Sequence, residues 1–457
     1  MRITTLFLLL FTCLARADAP TAGVPYDGYK GIWYFNQETN DEYVYKYSGG
    51  LATYTADHIP MAIYAPSVEK TFFVYGGTVP EKNSLAIMVS YYDHRQRLLP
   101  RPTFLVDRKT SDAHDNPALA IDKEGYLWVF LSSHGQGRPS YIVKSREPYS
   151  IAAFDTILET NFSYPQPWYH PAHGFLFLHT WYQGGRGLHI QQSADGVEWG
   201  ERTLLSHMEA GHYQVSWPLG ERMGTAFNYH PKQGGLNFRT NLYYVESPDW
   251  GKTWNTVNGQ QLSLPLTDKH SPALVHHYEP EGLKVYIMDI NYDQEGRPVI
   301  LHVVSKGWEP GPRNGPHLMR VAHWTGTAWA LHEVAPCDNN YDMGSLYTQG
   351  DGMWRILVPS DPGPQAFNPG GEMVLWRSSD QGGHWERERQ VTQHSTFNHT
   401  YARRPLSAHP GFMAFWADGD TRKKSESRLY FWDDEQQRVY RMPQKMEGDT
   451  AQAEPLE

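Results

Sequence analysis

Short apolar runs alternate with turn-forming residues along the whole chain. Runs of four to eight residues recur at 61–64, 71–75, 84–91, 175–181, 242–246, 285–290, 355–358, 373–377, 412–416 and 429–432. Gly, Pro, Asp and Asn separate them, and no stretch repeats apolar residues at the spacing of an amphipathic helix of ordinary length. The pattern predicts an all-β protein.

One pair of runs is sharper than the rest. Residues 116–122 form a short apolar strand, Lys123-Glu124-Gly125 a turn, and 126–131 a returning strand. His114 and His134 stand just outside the two strands, 20 residues apart in sequence. A hairpin brings its ends together, so both imidazoles are expected at one rim. Imidazole exchanges protons near neutral pH, so two on one rim suggest an acid–base site. The alternative is two loop histidines that cap strand ends.

A repeat runs through the strands. Ser247-Pro-Asp-Trp-Gly-Lys-Thr-Trp254 fits the Asp-box pattern, Ser378-Ser-Asp-Gln-Gly-Gly-His-Trp385 fits all but the Thr, and Ser193-Ala-Asp-Gly-Val-Glu-Trp199 is one residue shorter. Asp and Gly make the tight turn while Trp folds back into the sheet. The serines lie 54 and then 131 residues apart, one unit and about two units of roughly 55–65 residues. That period predicts a seven-bladed β-propeller of four-stranded blades, with a six-bladed ring as its rival. Residues 27–57 are not repeat-like and are expected to open the first blade or close the ring.

Composition narrows the class. The chain is 14% aromatic with 16 Trp and 29 Tyr, and its net charge of −10 argues against nucleic acid as a partner. Aromatic abundance suits stacking on sugars as well as packing. At the N-terminus Arg2, an apolar run at 6–14 and Ala15-Arg-Ala17 read as a signal peptide over 1–17. The expectation is therefore a secreted or periplasmic protein without a membrane span, with one propeller over 18–443 and a fraying polar tail over 444–457. Cys337 is then the one cysteine left, so no disulfide or cysteine-rich zinc site is expected. A monomer is the expected state.

The stretch from His114 through Gly125-Tyr126 to His134 resembles the catalytic histidine pair of the bacterial-neuraminidase-repeat propellers that act on plant and algal uronate polysaccharides. These include propeller ulvan lyases, rhamnose–glucuronate lyases and a related α-L-rhamnosidase family. Ser163-Tyr-Pro-Gln166 is similar to the start of the next blade, where those lyases carry a catalytic tyrosine; here that residue is Tyr164. The resemblance places the arginine that neutralises the uronate at Arg186, with Arg222 and Arg239 as competitors, and adds Asn116 and Tyr213 to the substrate-binding set. A sialidase would carry Arg-Ile-Pro near the N-terminus, where this chain has His58-Ile-Pro60.

The resemblance implies β-elimination at a glucuronate. Such a reaction needs a cation on the carboxylate, a base for the C5 proton and an acid for the leaving oxygen. Arginine, histidine and tyrosine suit those roles, and no cofactor is required. A structural metal ion in the central channel stays open. Tyr164 packed between blades and Arg186 in a solvated loop are the alternatives to catalytic roles. The region around His58 also resembles the place of a lone catalytic histidine on the opposite face in the α-L-rhamnosidases. A non-catalytic carbohydrate-binding propeller is the further alternative, but it has no need of two rim histidines beside an arginine.

Overall fold

Strands form where the apolar runs lie, and several extend beyond them. The run 175–181 becomes Gly174–Tyr182 and the run 285–290 becomes Lys284–Tyr292. The computed structural model describes residues 23–51, 57–79, 82–348 and 352–456. The expected signal peptide lies outside the described residues.

Each sheet is an antiparallel meander of sequence neighbours. The first joins Ala62–Ala65, Lys70–Thr78, Leu85–Asp93 and Thr103–Asp107, with Val24–Pro25 on its outer edge. Four-stranded sheets then begin at Pro117–Ile121, Ser163–His170, Gln214–Leu219 and Lys284–Tyr292. The last sheet has nine strands, and its two halves meet only where Gly371 pairs with His399. First strands of successive sheets pack against one another. A parallel bridge between Ile63 and Leu406 ties the last sheet to the first. This is the radial arrangement of a β-propeller, with Phe, Tyr, Leu and Val filling the space between sheets.

The hairpin between the histidines is as expected: Pro117–Ile121 pairs with Leu127–Leu131, and Pro117 faces Leu131 at the histidine end. The strand Ser163–His170 carries Pro165 and Pro167, which hid it in the sequence. It is the edge strand of its sheet, where a proline costs few ladder hydrogen bonds. Its register shifts between Ser163 and Gln166, and Tyr164 there has φ of 52°. Such a bulge redirects a side chain.

All three Asp-box turns follow the third strand of their sheet, at the end away from the histidines. In each, the Gly N–H donates to the Ser Oγ (Gly196 to Ser193, Gly251 to Ser247, Gly382 to Ser378; 2.6–2.9 Å). The Asp carboxylate accepts from backbone N–H groups further on, as Asp249 does from Thr253 at 2.8 Å. Gly196 has φ of 77°, and a Cβ there would stand 2.5 Å from Trp128.

Both non-repeating ends fasten the ring. Gly31 bridges to Gly77 in the first sheet and Ser427 in the last, as the expected closing role requires, while Tyr34–Glu38 and Tyr45–Gly49 form a separate hairpin. The tail departs from expectation. Instead of fraying, Thr450–Ala451 pairs with Leu99–Pro100, and Glu454–Pro455 adds to Arg438–Arg441. Backbone pairing and the Arg441–Glu454 ion pair hold a polar segment whose composition alone gave no sign of order.

Candidate active site

His114 sits in a one-turn 3-10 helix, Ala113–Asp115, capped by Asp112, whose carboxylate accepts the His114 backbone N–H at 3.1 Å. The same carboxylate reaches both imidazoles: His114 Nδ1 is 2.5 Å from Asp112 Oδ1, and His134 Nδ1 is 2.8 Å from Oδ2. The rings stack 3.6 Å apart at 5°. A carboxylate held between two Nδ1 atoms selects the Nδ1–H tautomer in both rings and leaves Nε2 as the basic atom of each. Burial opposes ionisation of Asp112, but the hydrogen bonds from His114 and His134 prevail and hold its carboxyl well below the usual range. Burial lowers the His114 pKa against the pull of Asp112. The His114 side chain is only 5% exposed and that of His134 is 37% exposed, so His134 is the imidazole that meets solvent.

Two arginines occupy the neighbouring acid. Arg108 and Arg138 donate to Asp115 at 3.2 and 2.6 Å, and Arg138 also stands 3.5 Å from Asp112 Oδ2, so Asp112 meets both histidines and one arginine. Asp112 escaped the sequence reading. Its signal was the Asp-x-His spacing at 112–114, which also reads as an ordinary cap.

The bulge brings Tyr164 to the pair, with its ring 5.1 Å from His114 and its hydroxyl 3.4 Å from that of Tyr213. Burial raises its hydroxyl well above the ordinary tyrosine value. Tyr182, which the sequence did not single out, ends the second strand of the same sheet 5.7 Å from His134, and burial raises its hydroxyl to about 12. Arg186 opens the third strand beside these rings, 5.4 Å from Tyr182 and 5.9 Å from Tyr213. It is half-buried, and its Nε has no hydrogen-bond partner.

The structure separates the three arginines. Arg239 is fully buried in a box of Tyr213, Tyr286 and Tyr341, behind Arg186. Arg222 stands at the far end of its sheet, where it pairs with Glu246 and covers Tyr292, so it takes no part in the site. Both Arg222 and Arg239 flank strands, and a sequence shows no difference between the two ends. Asn116 is buried beneath the short helix and donates to Ala113 O at 3.0 Å, which makes it a support for the turn rather than a group open to substrate. Tyr213 lines the cluster as expected.

His58 is on this face and not the opposite one. Its Nε2 is 3.1 Å from His114 O, its ring is 5.5 Å from Tyr164, and burial lowers its pKa to about 3. A buried amine enters from the hairpin Tyr34–Glu38/Tyr45–Gly49. Lys46 is buried near Arg186 and Arg239, and burial, then those arginines, lowers its pKa to about 6. Nothing in its sequence context marked it.

Asp112, His114 and His134 are also donors a metal could use. Ligand atoms on one tetrahedral zinc stand about 3.3 Å apart, given bonds of about 2.0–2.1 Å. The nitrogen–oxygen distances of 2.5 and 2.8 Å are those of direct hydrogen bonds. The donors thus fit shared protons better than a metal ion.

A model described as BNR repeat-containing family member matches residues 81–336. An ulvan lyase-PL25 of Pseudoalteromonas sp. (strain PLSV) is 22% identical over 325 residues, which cover 62% of this chain and 64% of that protein. An ulvan lyase of Alteromonas sp. (strain LOR) is 23% identical over 343 residues, 66% of this chain and 68% of that one. The chain thus spans about two-thirds of the length of these curated relatives. The solved structure of a PL25 ulvan lyase bound to -[GlcA(1-4)Rha3S]- superposes with a TM-score of 0.70 at 17% identity, over 90% of this chain and 96% of that one. At that identity the likeness shows a common fold.

Proposed function

The chain belongs to the BNR repeat-containing family, and on that premise we propose that it is a polysaccharide lyase. Its substrate is an ulvan-type polysaccharide of rhamnose and glucuronate, cleaved by β-elimination at the uronate. The observation that carries this reading is the histidine pair bridged by Asp112 beside Arg186 and buried tyrosines.

The reaction follows from the residues. Arg186 takes the glucuronate carboxylate in its planar fork and makes the C5 proton more acidic. His134, the exposed imidazole, removes that proton through Nε2, while Asp112 holds Nδ1–H and stabilises the charge that develops. The electron pair forms the C4–C5 double bond and expels O4. Tyr164, protonated because burial raises its hydroxyl, donates the proton to O4. His114 stacks behind His134, and two imidazolium ions at that distance repel, so the pair presents at least one neutral base. Arg239 adds positive potential near Arg186, whereas Lys46, lowered to about 6, is largely neutral near pH 7.

The α-L-rhamnosidase alternative rested on His58 acting alone on a separate face, and the contacts of His58 with His114 and Tyr164 remove that separate site. A binding module, in turn, has no use for one carboxylate that fixes two imidazole tautomers. The same reading takes the nine-stranded sheet as two blades joined at Gly371 and His399, which makes seven blades. It also takes the protein as exported, on the strength of the N-terminal Arg2 and apolar run.

The test is the product of an ulvan digest read by mass spectrometry. Elimination gives oligosaccharides one water lighter than hydrolysis products. Products of full hydrolytic mass, or no products, would refute the proposal.

A further inference from the structure

A second cavity lies where the first and last sheets meet. It has a volume of about 630 Å³, and its walls include Lys30, Trp33, Lys82, Lys424, Ser427 and Lys445. It opens on the face that carries the histidines. Lys70–Thr78 and Leu85–Asp93 are the second and third strands of the first sheet, and His134 follows the second strand at the corresponding place in the next sheet. Residues 420–428 join the corresponding strands of the last sheet.

Charge gives the cavity its chemistry. Four lysines line it against one carboxylate, Glu426. The ion pairs at this seam join Lys82 to Asp107, Arg101 to Asp27 and Lys423 to Asp420, so Lys30, Lys424 and Lys445 are in none of them. Asp27 is near enough to feel Lys30 and Lys445, but it already accepts the Met446 N–H at 3.0 Å. Two buried polar atoms of the wall, Trp33 Nε1 and Ser427 Oγ, have no hydrogen-bond partner. Buried polar groups without partners are rare in folded proteins, and both of these belong to residues that line the cavity.

We propose that this cavity is a second saccharide-binding site that takes a sulfated sugar of an anionic polysaccharide. The volume suits a ligand of one or two sugar rings. The walls hold no arginine. Each ammonium is a compact point charge that can meet one oxygen of a sulfate ester, while the arginine fork beside the histidines is engaged by the uronate carboxylate. The site would hold the polysaccharide on the catalytic face while the histidines act on a uronate elsewhere in the chain. The choice of ligand rests on the lyase reading; the site itself does not.

The test separates the two sites. In a His134→Ala/Arg186→Ala background, calorimetry measures binding of a sulfated ulvan oligosaccharide and of its desulfated counterpart, with and without Lys30→Gln/Lys424→Gln/Lys445→Gln. The expected result is that the background protein prefers the sulfated sugar. The lysine changes then weaken that binding about tenfold or more and flatten its dependence on salt, with the melting temperature unchanged. Equal binding with and without the lysines, or no binding by the background protein, would overturn the site. Equal loss for the desulfated sugar would overturn the sulfate assignment. If the wild-type protein makes no unsaturated product yet shows lysine-dependent binding, the lyase reading falls and this one stands.

Discussion

At the scale of single residues the site turns on one carboxylate. His134→Ala is expected to lower turnover of an ulvan-type substrate by about 10²- to 10⁴-fold, the range for a lost general base. Asp112→Asn should fall in the same range, because an amide cannot accept from both Nδ1–H groups and one ring loses its tautomer. Arg186→Lys should raise KM and lower turnover, since a point charge cannot reproduce the fork. Protonation of His114, the ring stacked on the base, should weaken that base; because burial lowers the His114 pKa, this loss should appear as an acidic limb of the kcat/KM profile below the ordinary histidine value of about 6.5. Activity is present above that limb and lost as pH falls through it. Steady-state rates across pH on the purified protein check all of these. Much of this was legible in the sequence. The histidines stand out because a hairpin fixes both at strand ends, whereas Tyr164 and Arg186 come from the family resemblance, which leaves Arg222 and Arg239 as competitors. Asp112 and Lys46 do not, because a cap and a hairpin lysine look alike wherever they occur. His58 was placed on the wrong face because its neighbours come from other sheets.

Among the elements, the histidine hairpin was readable because its strands are wholly apolar and its turn ends in glycine. The strand Ser163–His170 was not, because its prolines are tolerated only by its edge position, which the sequence does not display. The Asp-box turns are the firmest local signal, and they lie at the end away from the chemistry. Gly196→Ala should cost about 2 kcal/mol or more, because the positive φ and the contact with Trp128 both exclude a Cβ. Chemical denaturation measures that cost, and the mutant that folds should keep its turnover. Removing residues 450–457 should likewise lower the melting temperature without changing kcat, since the segment fastens the first and last sheets far from the histidines.

For the whole molecule, several histidines are buried in the neutral form. Burial lowers His58, His212 and His302 to about 3. In the unfolded chain such groups take up protons below about 6.5, and in the folded chain they resist until about 3. The unfolded state therefore binds more protons in that window, so stability should fall steadily as pH drops from about 6.5 toward 3, which a melting series checks. The propeller was visible in the repeat period, whereas its closure by both chain ends came from long-range pairing that no local pattern encodes. The ring sets sheets side by side, so that the histidine pair of one meets Tyr164 and Tyr182 of the next, with Arg186 beside them, and elimination depends on that meeting. Ultraviolet absorbance during digestion of an ulvan-type polysaccharide tests it most directly. The wild-type protein should produce the rising absorbance of a 4,5-unsaturated uronate, and His134→Ala should abolish nearly all of it. New reducing ends without that absorbance, or an undiminished signal from His134→Ala, would contradict the account.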